Sequence, residues 1–282
     1  MKSSQPAPAW GIIQRLRAIR LGARVSVAAG LGLAAIVFML ALPPLPQPLA
    51  YHHFADQRGW LGIPHSLNVL SNAPLSLIGA MGLGFLARGK DRRRSVGDLS
   101  PMAMTAYRLF FLGALLTGLG SAYYHWAPDN QRLVWDRLPM TLCFMAFLTL
   151  VLCCRTSEQV TRVALPILVL LGLAGVIHWH LSEQRGLGDL RLYLFVQFFP
   201  MLLIPVLLLL FSPRDNPAAT DGDILAVLGL YGIAVACDWL LDGPLFALGG
   251  IISGHSLKHL IAALAVFWLL RGFRKRVDCR RA

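Results

Sequence analysis

Residues 191–211 read RLYLFVQFFPMLLIPVLLLLF, and beyond Arg191 the stretch carries no charge. A helix of this length rises about 30 Å, the thickness of the hydrocarbon core of a bilayer. Seven other apolar runs have comparable length, near 25–43, 67–87, 107–126, 136–154, 163–181, 223–241 and 254–271. The sequence therefore specifies an all-α fold, a polytopic membrane helix bundle. The composition agrees. The 282 residues are 56% hydrophobic and 14% charged, against about 25% charged in a typical soluble domain. Eight spans in a chain of this length leave no room for a separate soluble domain.

Working outward from the spans, the basic residues sort by side. With the N-terminus in the cytoplasm, 20 of the 26 Lys and Arg residues fall on the cytoplasmic side, and only Arg58, Arg132, Arg137, Arg185, Arg191 and Lys258 fall outside. Short loops rich in Lys and Arg stay inside. The net charge of +12 thus reports topology and contact with anionic lipid rather than nucleic acid. The expected location is the cytoplasmic (inner) membrane, with both termini cytoplasmic. Residues 1–24 form a basic interfacial segment in which Ile12, Ile13, Leu16, Ile19 and Leu21 alternate with Arg15, Arg17, Arg20 and Arg24. Residues 25–66 hold a first span and an outer loop, residues 67–271 a seven-helix core, and residues 272–282 a basic cytoplasmic tail. The first apolar run is long for a signal peptide and ends in Pro43-Pro44-Leu45-Pro46 rather than a cleavage site. The five cysteines form no C-x-x-C pair and read as small hydrophobes.

The polar residues sort by depth. His125 ends span 3, Asp136 begins span 4, His178 and His180 end span 5, Asp238 and Asp242 close span 7, and His255 and His259 begin span 8. All lie toward the outer leaflet, as do His52, His53 and His65 in the first outer loop. Ionisable residues inside spans are costly and carry a functional hypothesis by default. His255 and His259 are four apart, so on a helix they share a face and can grip one metal ion. Ser121 has the same spacing to His125. Three histidines with an open fourth position are the pattern of a catalytic zinc site.

Taken singly, each feature has a plainer reading. An H-x-x-x-H pair is often interfacial without metal. Asp136, three residues before Pro139, reads as a helix N-cap. A serine in a span with Gly113, Gly118 and Gly120 reads as packing material. His178 and His180 point to different faces and read as interfacial polarity. Asn68, Ser71, Asn72 and Ser76 place a polar stripe at the outer start of span 2, for packing or for a cavity. Tyr123, Tyr124 and Trp126 read as an aromatic belt or a cavity wall. The convergence of His125, Asp136, His255 and His259 at one depth favours the site.

From Asn68 to the end of span 8 the chain resembles the alkaline ceramidase family, within the CREST superfamily of seven-helix membrane hydrolases and receptors. The resemblance rests on Asn68-x-x-Ser71-Asn72, Gly118-x-Gly120-Ser121-x-x-x-His125, Trp135-Asp136-Arg137-Leu138-Pro139-Met140, Trp239-x-x-Asp242 and His255-x-x-x-His259. It implies that span 1 is an extra helix before the seven-helix core. It further implies zinc ligation by His125, His255 and His259, an acid–base role for Asp136, and a place beside the metal for Ser121. Two motifs depart from the family pattern: D-E-L-P-M appears as Asp136-Arg137-Leu138-Pro139-Met140, and H-x-W-W-H as His255-Ser256-Leu257-Lys258-His259. The family's acidic calcium loop has no recognisable counterpart. Residues 54–58 hold one acid, and His65 stands where an acidic ligand is expected, which leaves calcium and ceramide specificity outside what the residues carry over.

The expected function is zinc-dependent hydrolysis of an acyl-amide bond in a lipid drawn from the bilayer, with ceramide, a sphingolipid, the leading substrate, other acyl-amide or ester lipids open, and no protein partner inferable. The rivals are a zinc-containing receptor of the same superfamily and a metal or proton transporter. A transporter would need polar residues continuing inward, and the inner halves of spans 4, 6 and 8 have almost none. Lys258, about 100° around the helix from His259, is expected to snorkel to the outer surface, the alternative being that its ammonium holds an anionic lipid headgroup at the mouth of the site and shifts the substrate toward a phosphorylated or carboxylated amide. The topology has a direct check: a reporter fused at residue 282 should read as cytoplasmic, and one inserted in the Asp129–Arg132 loop as external. An external C-terminus would overturn the depth argument too.

Overall fold

The computed structural model describes residues 8–87, 99–215 and 217–279. The basic residues of 88–94, which enter the charge sorting, lie outside the described residues, as do positions 1–7 and 280–282. The described chain is helical, in the order α1 (Pro8–Ala18), α2 (Leu21–Ala41), a short 3-10 turn (Leu49–His52), α3 (Ser66–Leu70), α4 (Ala73–Ala87), α5 (Pro101–Trp126), α6 (Asn130–Arg155), α7 (Glu158–Gln184), α8 (Arg191–Leu210), α9 (Asp221–Ala247) and α10 (Gly254–Cys279). The expected helix bundle is therefore the fold. Eight segments are long and apolar enough to cross a membrane, with α3 and α4 together forming one of them. The chain is a multi-pass membrane protein.

Several helices extend beyond their apolar runs because caps, not hydropathy, set their ends. Ser100 accepts from the Ala103 amide, Asp129 from Arg132 and Ser157 from Val160, and Thr220 with Asp223 forms a reciprocal capping box. Each cap satisfies an amide that has no partner within the helix. The helix expected from 136 thus begins at Asn130, with Asp129 as its cap. Asp136 sits inside it, so the N-cap reading of Asp136 is incorrect and its carboxylate is free for other contacts.

Helices α4 through α8 pack in sequence, α10 packs between α9 and α4, and α8 meets α9 only sparsely. That closes a ring with one loose seam. Helix α2 lies outside against α8 and buries none of its residues. Arg17 and Arg24 donate to the carbonyls of Leu208 (2.9 Å) and Leu210 (3.0 Å) at the C-terminal end of α8. They satisfy carbonyls that the end of α8 leaves open and favour the negative pole of its dipole.

Two glycines set the helix spacing at the end of the ring that holds the histidines. A Cβ at Gly120 would strike the carbonyl of Trp135, and one at Gly254 would strike the α9 backbone at Cys237, Leu241 and Asp242. These close approaches place Ser121 beside Asp136 and the start of α10 against α9, the use of small residues expected in membrane bundles. Gly120→Leu should therefore lower the melting temperature of the detergent-purified protein by at least about 5 °C through overpacking. Gly229→Leu, where a Cβ meets open space, should leave it unchanged. Equal melting temperatures for the two variants would contradict this packing.

Candidate metal centre

Three histidines meet at one end of the bundle. His125 comes from the last turn of α5, and His255 and His259 from the first turns of α10, where their four-residue spacing puts both rings on one face. All three are buried. Their ring centroids lie 4.7, 4.8 and 5.0 Å apart. One ligand nitrogen from each falls within 4.8 Å of the others, and the Nε2 atoms of His125 and His255 are 3.0 Å apart. In a tetrahedral site with bonds of about 2.0–2.1 Å, ligand nitrogens are roughly 3.3 Å apart, a spacing these distances bracket. Among the described residues this triad is the group of histidine, cysteine and carboxylate side chains able to hold a metal ion.

Hydrogen bonds hold two of the three rings from behind. His255 Nδ1 lies 2.5 Å from Asp238 Oδ1. A carboxylate can only accept, so that nitrogen carries the proton and Nε2 presents its lone pair to the centre. His259 Nδ1 lies 2.8 Å from the Ser71 hydroxyl and 3.3 Å from the Asn72 amide nitrogen, which hold the ring from behind. A carboxylate behind His255 and a hydroxyl behind His259 are the usual supports of a metal site, whereas His125 Nδ1 is buried without a hydrogen-bond partner among the described residues. The donor set fits a transition-metal ion of borderline softness.

Ser71 and Asn72 sit where α3 breaks before α4, and Asn72 Nδ2 is also 3.3 Å from His259 Nδ1. The polar stripe thus serves both of its expected purposes. Ser71 and Asn72 face the centre, Asn68 accepts from Ser256 (2.7 Å), and Ser76 ties α4 to the Leu115 carbonyl (3.1 Å).

No protein-family model matches the chain, and no curated protein matches it.

The identity of the centre therefore rests on its own residues. Ser121 and Asp136, both buried, face each other across the α5–α6 contact and line one polar cavity with His259, Asp238, Lys258 and Arg137. A second cavity, lined almost wholly by apolar side chains, shares Leu75, Thr117, Met140, Gln197, Tyr231 and Ala262 with the first as a common wall. Both reach the α8–α9 seam, where Gln197 donates to the Tyr231 hydroxyl (2.8 Å). All five expected site residues are thereby brought together: the three histidines in a triad, with Ser121 and Asp136 in the adjoining cavity.

Three features were not read from the sequence. Asp238 holds His255, and Asp242 accepts from the backbone amides of His255 (2.9 Å) and Ala55 (3.0 Å). Phe54, 5% exposed, lies against His125 and His255 with centroid distances of 4.6 and 4.2 Å. Its loop is held to the rest of the bundle by Arg58, which reaches the carbonyls of Gly250 and Ile251. Lys258 does not snorkel outward as expected. Its ammonium turns into the polar cavity and pairs with Asp238 at 3.2 Å, because Lys258 follows His255 by three residues and so shares its face.

The remaining histidines stand apart from the triad. His52 bonds the Tyr124 hydroxyl (2.8 Å) and Asn130 (2.9 Å), and burial lowers its pKa, so it stays neutral. His178 lies 3.4 Å from Asp189, a carboxyl that Arg191 holds down to about 2, and His180 pairs with Gln184. Tyr123 and Trp126 are exposed as a belt would be, whereas Tyr124 is a buried wall. In the loop between α2 and α3 both carboxylate oxygens of Asp56 accept from Arg58, whose hydrogen bonds lower its pKa.

The purified protein should bind about one transition-metal ion per chain, measured by elemental analysis. His125→Ala, His255→Ala and His259→Ala should each lose most of it, and Asp238→Ala should weaken affinity by about 10- to 100-fold through the loss of ring support. Full metal content in any of the three histidine variants would exclude that residue as a ligand.

Proposed function

We propose that the chain is a zinc-dependent integral-membrane hydrolase that cleaves the acyl-amide bond of a lipid, in the manner of the alkaline ceramidases its motifs resemble. One observation carries the reading: a buried three-histidine centre adjoins a polar cavity that shares a wall with an apolar one. The apolar cavity suits an acyl chain, and the polar one suits the amide to be cut. The nearly pure apolar lining weighs against an ion path through the bundle.

His125, His255 and His259 would hold the zinc ion, which would supply Lewis acidity to activate water near neutral pH. The Asp136 carboxylate accepts a proton from the attacking water and passes it to the leaving amine as the C–N bond breaks, so one residue acts as base and then as acid. The Ser121 hydroxyl donates toward the carbonyl oxygen as negative charge grows there. Phe54 covers the triad, keeping bulk water from the reacting groups.

Asp136→Asn removes the proton carrier without touching a ligand. It should keep its metal and lose at least about 100-fold in kcat toward a lipid amide, read by release of free fatty acid. Loss of metal would make Asp136 a ligand instead. Zinc-loaded wild-type protein that turns over no lipid amide or ester would leave the receptor reading in place.

A further inference from the structure

Arg137 follows Asp136 on α6 and is 4% exposed. Its guanidinium lies between the rings of Trp179 and Tyr193, 4.4 and 4.5 Å from their centroids, with Tyr51 at 5.4 Å. One terminal nitrogen, NH2, donates to Gln47 Oε1 at 2.7 Å. The other, NH1, is buried and has no partner. Among the described residues no carboxylate stands within ion-pairing distance of Arg137, whereas Lys258 has its counter-ion in Asp238. Arg137 lines the polar cavity with Ser121, Asp136 and His259.

A guanidinium without a carboxylate is costly in a membrane-embedded bundle. The aromatic faces offset part of that cost, but a ring face does not satisfy an N–H at hydrogen-bond strength. The rings and Gln47 clamp the group and leave NH1 buried and without a partner on a residue that lines the cavity. A bound anion completes this arrangement, and guanidinium pairs best with carboxylate or phosphate oxygens.

We infer that Arg137 binds a carboxylate or phosphate on the amine side of the scissile bond, so the substrate is an anionic N-acyl conjugate rather than a neutral N-acyl lipid. The inference rests on the hydrolase reading for the place of the scissile bond, but the anion site itself does not. Its acyl chain lies in the apolar cavity, its carbonyl faces Ser121 and Asp136, and its charged head meets Arg137.

Equilibrium binding to detergent-purified Asp136→Asn protein tests this apart from turnover. The ligands are N-oleoylglycine, O-phosphorylated N-oleoylethanolamine and neutral N-oleoylethanolamine. At least one anionic ligand should bind about 10-fold or more tightly than the neutral one, and which of them does so separates carboxylate from phosphate. Adding Arg137→Met should abolish that advantage and change neutral binding by less than about twofold. Should Arg137→Met fail to fold, Arg137→Lys decides: a preference reduced at least threefold supports the site, and an unchanged one overturns it. Equal affinities for all three ligands, or a preference that survives in Arg137→Met, also overturn it. Hydrolysis of the three compounds by wild-type protein is scored separately. An Arg137-dependent preference without hydrolysis sinks the hydrolase reading alone, and hydrolysis without the preference sinks the anion site alone.

Discussion

Asp242 reaches two backbone amides with one carboxylate, that of His255 at the start of α10 and that of Ala55 in the loop between α2 and α3. Asp238, one turn earlier on the same face of α9, holds the ring of His255 and the ammonium of Lys258. This pair joins the parts that make the centre. Asp242 fixes where α10 begins and where the loop bearing Phe54 lies, and Asp238 sets the tautomer of the first ligand on that helix. Without Asp242, the His255 amide in the first turn of α10 would lose its partner.

The surroundings follow from the low dielectric of the bundle. Three neutral imidazoles are far cheaper to bury than three charged ligands. Carboxylates in the bundle are held by partners: Asp238, beside the triad, by His255 and Lys258, Asp221 by Arg155, and Asp223 by Arg276. At the opposite end of the bundle the last two pairs tie α6 and α10 to the start of α9. Around the triad the chain spends its small residues, Gly120 and Gly254, so that helix backbones approach closely enough for short side chains such as Ser121 to reach the cavity.

Much of this was legible from the residues, for identifiable reasons. Apolar runs gave the spans because a bilayer demands length above all, and their ends were misplaced where Ser100, Asp129, Ser157 and Thr220 cap beyond the apolar window. His255 and His259 were legible because i,i+4 spacing has one meaning on a helix. His125 and Asp136 were legible because antiparallel spans bring equal depths together. The support of His255 was not: Asp238 lies on another helix, and pairing between helices has no period along the chain. Phe54 sits in an irregular loop, where periodicity says nothing about contacts. Lys258 was misread by comparison with His259 alone; its i+3 relation to His255 held the signal. Arg137 counted as an outer positive charge and as a departure within a motif, and nothing local to it announces the aromatic cage built from Tyr51, Trp179 and Tyr193.

The central claim is that His125, His255 and His259 form a single metal centre with one position open for chemistry, and that zinc fills it. X-ray absorption at the zinc edge of purified, zinc-loaded protein measures that coordination directly. The account predicts three imidazole nitrogens and one further oxygen at about 2.0–2.1 Å. A spectrum with sulfur ligands, with six oxygens, or with fewer than three imidazoles would contradict it.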